Sequence, residues 1–298
     1  MHSSSPLITI ITPTYNAGKF IGKCIESVQS QSFKNFEHLI LDGQSTDDTV
    51  NLVKQFQQKY STIKLTIEKD KGVFDAMNKG IKLARANWLY FLGADDYFYN
   101  NDVLENISAY LLKNETQIVY GNVFFQNLHR LYDKDFDIEK ILKHNICHQA
   151  VFYHAIVFKI IGDYDLNYRT EADYDLNLKC WLTGKISHLY VPLTIAYYAD
   201  GGISSMQNDE QLIKEYPDKT IHAVLTGKWN IFLKVHLLSK IYRKILQRRV
   251  YSSGIFIAQL FKGDFFLYRF FAFLWMCLSS PFYLLKGKDK TKLIIWGM

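Results

Sequence analysis

The sequence predicts an α/β fold: a mostly parallel sheet flanked by helices, with a basic and apolar helical appendage at the carboxyl end. Three observations carry this. Short runs rich in β-branched and aromatic residues alternate with segments of helical periodicity over residues 7–113, a polar cluster follows each of the first four runs, and charge divides unevenly along the chain. Strict alternation implies right-handed crossovers and a sheet covered on both faces.

The elements follow in order. Residues 7–12 (LITIIT) form an apolar run expected to stop at Pro13, as a buried parallel strand would. The amino terminus has no basic flank or long apolar core, so it reads as a strand start and not as a signal peptide. Residues 18–31 space Phe20, Ile21, Cys24, Ile25 and Val28 as an amphipathic helix. Strand 36–41 then leads to helix 47–59, strand 63–67 to helix 75–86, and strand 88–92 to a loop and helix 101–113. Past residue 115 the pattern loosens into strands 118–120 and 123–125, helix 137–143, strand 149–153, and helices near 155–161 and 173–183.

Composition narrows the class. At 48% hydrophobic and 15% aromatic with 5 Pro, the chain has enough apolar surface to exclude disordered and collagen-like proteins. Four scattered cysteines suggest neither a disulfide framework nor a zinc site, which fits a reducing, cytoplasmic compartment. The net charge of +6 conceals a division: residues 1–219 carry 22 basic and 27 acidic side chains, whereas residues 220–298 carry 13 and 2. Nucleic-acid binding is not expected, because no recognition motif accompanies the basic residues.

Ligands of such sheets bind at the carboxyl ends of the strands. Those positions hold Thr12-Pro-Thr-Tyr-Asn16, Asp42-Gly-Gln-Ser-Thr-Asp47, Asp70-Lys-Gly72 and Gly93-Ala-Asp-Asp96. Ser45, Thr46 or Asp47 would cap the second helix. Asp42 lies outside that role, and Gly43 beside it would let another group come close; it is a candidate to hydrogen-bond a nucleobase edge. Asp95 and Asp96 are adjacent like charges, costly at a strand end without a cation, and oxygen-only ligands favour Mg²⁺ or Mn²⁺. An isolated Asp-Asp pair would equally suit a helix start; acids at three of the four coincident polar strand ends favour the cation.

The runs ITPTYNAGKFIGKCIESVQSQSF, DGQSTDDT and EKDKGVFDAMNKGIKLARANWLYFLGADD resemble the family 2 glycosyltransferases of the GT-A fold. The resemblance covers residues 7–98 motif by motif, extends more loosely to about 205, and stops there. It implies that Thr12, Pro13, Tyr15 and Asn16 pack on the donor nucleobase and that Asp42 reads its edge. It further implies that Asp70, Lys71 and Gly72 lie near the ribose and diphosphate, that Asp96 touches a divalent cation, and that Asp95 faces the ribose beside it. Asn78 and Gly80 also match, although a cap and a packing contact would explain them.

Glu171-Ala-Asp173-Tyr-Asp175 stands where the family has a Glu-Asp pair, from which this chain departs by an alanine. Alignment puts Asp173 at the catalytic-base position, with Glu171 and Asp175 as competitors. Helix periodicity points Asp173 and Asp175 to different faces. His148-Gln149 resembles a short motif on the acceptor side, and residues 199–204 resemble a loop closing over the donor diphosphate.

The implied organisation is a catalytic domain over 1–219, its nucleotide-sugar half about 1–98 and its acceptor half about 99–219, followed by a tail over 220–298. Within that tail, residues 228–249 hold seven Lys or Arg and no acid among evenly spaced apolar residues, as in helices that lie on anionic membranes. Residues 265–285 are long enough to cross a bilayer, but Arg269 and Pro281 interrupt them, which favours monotopic insertion. The expected partners are a nucleotide-sugar donor, UDP-linked by family precedent, a lipid-linked or saccharide acceptor, and an anionic membrane surface met through residues 228–285. The expected location is the inner face of the cytoplasmic membrane. Two rivals remain open. A nucleotidyltransferase would need a richer phosphate loop than Asn16-Ala-Gly18-Lys19, and a non-catalytic membrane adaptor would be free to lose Asp42, Asp95, Asp96 and Asp173.

Overall fold

A computed structural model describes residues 5–113, 115–126, 128–132, 134–198 and 209–248 and the single position 272. Strands β1 (Ile8–Thr14), β2 (Phe36–Asp42), β3 (Ile63–Ile67) and β4 (Trp88–Phe91) pair in parallel in the order β3-β2-β1-β4. Helices α1 (Ile21–Gln29), α2 (Thr49–Lys59) and α3 (Val73–Leu83) connect them. All residues of β1, β2 and β4 are buried, which is why these strands read as unbroken apolar runs. Ile21, Cys24, Ile25 and Val28 of α1 join Ile8, Ile10, Ile40, Trp88 and Tyr90 in one apolar cluster.

β1 continues through Pro13, where the sequence predicts a stop. The backbone of Ile11 accepts from Leu92 on the β4 side, and that of Thr14 accepts from Gly43 on the β2 side. Alternation therefore turns Pro13 toward β4, whose pairing with β1 ends at Ile11 and Phe91. The missing N–H costs no ladder bond there.

The second half comprises β5 (Tyr97–Phe98), α4 (Val103–Leu111), β6 (Ile118–Phe125), β7 (Arg130–Tyr132), α5 (Ile138–Ile141), β8 (Val151–His154), α6 (Ile156–Ile161), α7 (Ala172–Leu182) and β9 (His188–Tyr198). The sheet continues β4-β8-β6-β9-β5, with β7 also paired to β6. Among the described residues of this half only β6–β9 is parallel; β4–β8, β6–β8, β6–β7 and β5–β9 are antiparallel. The sheet is thus mixed, and the parallel expectation holds for the amino half, where each crossover contains a helix.

Segments 118–120 and 123–125 are one strand, β6, whose pairing with β9 shifts register between Tyr120 and Asn122. A Cβ on Gly121 would lie 2.4 Å from the Leu193 carbonyl oxygen, so only glycine lets β9 come so close. The expected strand 149–153 begins instead with a 3₁₀ turn over His148–Ala150, and β8 starts at Val151.

The chain forms two compact units, Met1–Ile213 and Lys214–Met298. α8 (Glu210–Thr226) and α9 (Ile231–Arg248) are the described helices at the carboxyl end. On α9, Leu237, Leu238, Ile241 and Tyr242 are buried, while Ile231 and Phe232 are exposed, Phe232 to 85%. Part of the apolar face assigned from sequence to a membrane is therefore already covered. Among the described residues no helix is long and apolar enough to cross a membrane. Segments 199–204 and 265–285 lie outside the described residues, apart from position 272.

Candidate active site

The rim begins where β1 and β2 end side by side, with Thr14 paired to Asp42. Asp42 is 1% exposed. Its Oδ2 accepts from Thr14 Oγ1 at 3.0 Å and Ser45 Oγ at 2.6 Å, and its Oδ1 accepts from the Ser45 backbone at 2.8 Å. The two loops are laced together further out. Asn16, at φ 50°, receives the Thr46 amide on its Oδ1 at 2.8 Å and donates its own amide to Ser45 Oγ at 2.8 Å. Asp47 accepts from the Gly18 and Thr49 amides, each at 3.0 Å. Of the expected caps, Asp47 bonds the start of α2, while Ser45 faces Asp42 and Asn16.

This lacing leaves the Tyr15 ring 64% exposed at the rim. Thr12 and Pro13 are buried, and Thr12 Oγ1 lies 2.9 Å from His38 Nε2. Their side chains support the loop from inside the sheet.

Gly43 has a specific neighbour. A Cβ there would lie 2.5 Å from Asp70 Oδ2, so the close approach foreseen at Gly43 is that of a carboxylate from the next strand end. Asp70 Oδ1 accepts from the Gly72 amide at 2.9 Å, and the Lys71 amide donates to Asp75 Oδ2 at 3.0 Å. Gly72, at φ 126°, opens α3 in a conformation that disfavours a side chain. Asn78 bonds Tyr164 through both its amide atoms and a Cβ on Gly80 would meet Ile11, so both residues are packing elements.

Asp95 and Asp96 follow β4. Asp96 is 2% exposed, and its carboxylate lies over Gly93, where a Cβ would meet Oδ2 at 2.5 Å. Beneath, Cys24 Sγ donates to the Gly93 carbonyl at 3.5 Å. Burial, then the charge of Asp96, pushes the Cys24 thiol and the Tyr90 phenol well above their ordinary pKa values, so both remain neutral. Asp96 Oδ2 accepts from Gln149 Nε2. Gln149 is the residue whose contact sequence reasoning missed; its pairing with His148 in a family-like motif was the only signal.

α7 settles which acid faces His148. Asp173, 8% exposed, has its Oδ2 3.4 Å from His148 Nδ1, and its Oδ1 accepts from the Tyr174 amide at 2.8 Å. Asp175 points elsewhere and binds Lys179 Nζ at 2.5 Å. Glu171 occupies the N-cap position of α7. Two adjacent residues, His148 and Gln149, therefore touch Asp173 and Asp96 respectively.

Residues 9–165 match the family model described as glycosyl transferase family 2. The chain belongs to this family. It is 36% identical over 236 residues to a PGL/p-HBAD biosynthesis glycosyltransferase of Mycobacterium bovis, spanning 76% of this chain and 92% of the relative. In fold it is similar to the 1–349 fragment of S. aureus TarS crystallised with UDP-GlcNAc (TM-score 0.67, 17% identity, 80% and 72% of the two chains). It is also similar to the mannosyltransferase PcManGT of Pyrobaculum calidifontis in complex with GDP-Man and Mn²⁺ (TM-score 0.56, 13% identity, 93% and 89%). Mixed α/β architecture with flanking helices is thus that of GT-A glycosyltransferases.

The donor set suits a hard cation. Among the described residues no three His, Cys, Asp or Glu side chains form a ready metal cage. Mg²⁺ and Mn²⁺ need no such cage: they bind through one or two carboxylates and complete their shells with phosphate and water. Asp95 and Asp96, above a glycine that leaves room, fit that role in a family 2 glycosyltransferase.

Proposed function

We propose that this family 2 glycosyltransferase moves a sugar from a nucleoside diphosphate sugar, UDP-linked, to a hydroxyl of a lipid-linked or saccharide acceptor, with inversion at the anomeric carbon. The observation that carries the proposal is the placing of two buried carboxylates, Asp96 and Asp173, against the two successive residues of one turn.

In this proposal Tyr15 stacks on the base, while Thr12 and Pro13 hold the loop that presents it. Asn16 and Asp42 fix the slot, and Asp42 meets the base edge. Asp70, Lys71 and Gly72 take the ribose and diphosphate side. Asp96, with Asp95, would hold Mg²⁺ or Mn²⁺, which would supply Lewis-acid neutralisation of the charge on the departing diphosphate. The bond between the anomeric carbon and the diphosphate oxygen breaks as the acceptor oxygen bonds the opposite face. Asp173 takes the acceptor proton, and the nucleoside diphosphate leaves with the electron pair. His148 supports Asp173 by contact with its carboxylate.

We place the enzyme at the inner face of the cytoplasmic membrane. The support is the acid-free basic stretch 228–249 and the exposed Ile231 and Phe232.

The test is a panel of nucleotide sugars with MnCl₂, read by thermal shift and by release of the nucleoside diphosphate. Stabilisation by UDP and turnover of a UDP-sugar are the expected results. Stabilisation by no nucleotide sugar, with no turnover, would overturn the proposal.

A further inference from the structure

Gln149 is held by Cys147 and Tyr90 on one side and faces the Asp96 carboxylate on the other. Its side chain is buried, and its Oε1 accepts from Cys147 Sγ at 2.8 Å, which leaves the Nε2 end of the amide facing Asp96 Oδ2. Its backbone carbonyl accepts from Tyr90 Oη at 2.8 Å. The Tyr90 ring is itself fixed between Phe98 and Phe152, with centroids 5.2 and 4.5 Å away and planes tilted by 17° and 21°. The amide cannot turn or retreat without breaking one of these contacts.

A neutral donor at this place has a distinct physical effect. Its N–H meets Oδ2 of Asp96 and brings no positive charge that would oppose a divalent cation, whereas a Lys or Arg in its place would repel one. It also fixes Oδ2 above Gly93, and so sets the direction in which the carboxylate presents itself. Such outer partners of metal-binding carboxylates commonly change metal affinity by about 10- to 100-fold. Because His148 is the next residue in the same 3₁₀ turn and meets Asp173, a movement of the turn shifts both carboxylates together.

We propose that Gln149 is a positioning residue for the cation-holding carboxylate of Asp96, and that the His148–Gln149 turn sets the spacing between cation and base. This rests on the proposed function, in which Asp96 holds a divalent cation. Gln149 touches no reacting atom in this assignment and acts through Asp96.

The experiment is calorimetric titration of MnCl₂ into the full chain with saturating UDP, for wild type, Gln149→Leu and Gln149→Asn, each checked for a cooperative melt. Gln149→Leu removes the donor; Gln149→Asn keeps the amide but withdraws it by one methylene, so it guards against a variant that simply fails to fold. The expected result is a loss of Mn²⁺ affinity of about tenfold or more in the variants that keep a cooperative melt. A parallel rise is expected in the Mn²⁺ concentration giving half-maximal turnover. Wild-type Mn²⁺ affinity in Gln149→Asn, or in a folded Gln149→Leu, would overturn the positioning role alone. Failure of the wild-type chain to bind Mn²⁺ with UDP present would overturn the cation assignment and this inference with it.

Discussion

His148 Nδ1 lies 3.4 Å from Oδ2 of Asp173, whereas Asp175, two residues along the same helix, is bound to Lys179. The helical turn thus separates an acid facing the second-half turn from one spent on an ion pair. Asp173→Asn is expected to lose turnover by about 10²–10⁴-fold, the range for a general base, while UDP affinity by calorimetry stays within twofold. Asp175→Asn is expected to retain turnover and to lose about 1 kcal/mol of stability in chemical unfolding. Loss of turnover in Asp175→Asn with wild-type turnover in Asp173→Asn would reverse the two assignments.

Gly43 and Asp70 give a second prediction. A methyl at position 43 would lie 2.5 Å from Asp70 Oδ2, and the yielding partner is the end of a side chain, so the fold should survive. Gly43→Ala is expected to displace Asp70 and to weaken UDP binding by about tenfold, roughly 1.4 kcal/mol. Combined with Asp70→Ala it should add little, since both changes remove one arrangement. Full additivity in that cycle would show that Gly43 acts elsewhere.

His38 sets a pH dependence of stability. Burial lowers its pKa from 6.5 to about 3, so the folded protein keeps the ring neutral where the unfolded chain protonates it. Below pH 6.5 the unfolded state binds more protons, and stability falls as pH falls from 6.5 toward 3, by up to about 1.4 kcal/mol per pH unit. His38→Gln should flatten urea-unfolding stability over pH 6.5–4.5 relative to wild type. His154 and His188, whose pKa values burial also lowers, are present in both proteins and cancel from the difference. An equal slope in the two proteins would contradict this.

The amino half was legible because its signals are local. Continuous burial makes β1, β2 and β4 apolar throughout, and the polar clusters sit where parallel strands must end. The second half depends on distant partners. β5 is two residues long and exists by pairing Tyr97 and Phe98 with Tyr197 and Ala196. β9 contains Pro192 and alternates irregularly between buried and exposed residues, so no periodicity marks it. Gly121 lies between the expected strands 118–120 and 123–125, and the close Leu193 carbonyl on β9, which requires glycine there, has no local signature.

The site divides in the same way. Asp95, Asp96 and the Asp42 loop are candidates by their position at strand ends, and Asp173 by the family resemblance at the start of a helix. What the sequence left open was occupancy: that both oxygens of Asp42 are already bonded by Thr14 and Ser45, which acid of α7 binds Lys179, and which amide meets Asp96. The Gln149–Asp96 contact joins residues 53 positions apart, and no spacing rule within the chain encodes it.

The most direct test of metal-dependent transfer at Asp96 is a MnCl₂ titration of nucleoside diphosphate release from the accepted donor, in wild type and in Asp96→Asn. The prediction is turnover abolished by EDTA, restored by excess Mn²⁺, and reduced more than about 100-fold in Asp96→Asn, in keeping with the loss of transition-state charge stabilisation. Equal turnover in EDTA and in Mn²⁺, unaffected by Asp96→Asn, would contradict it.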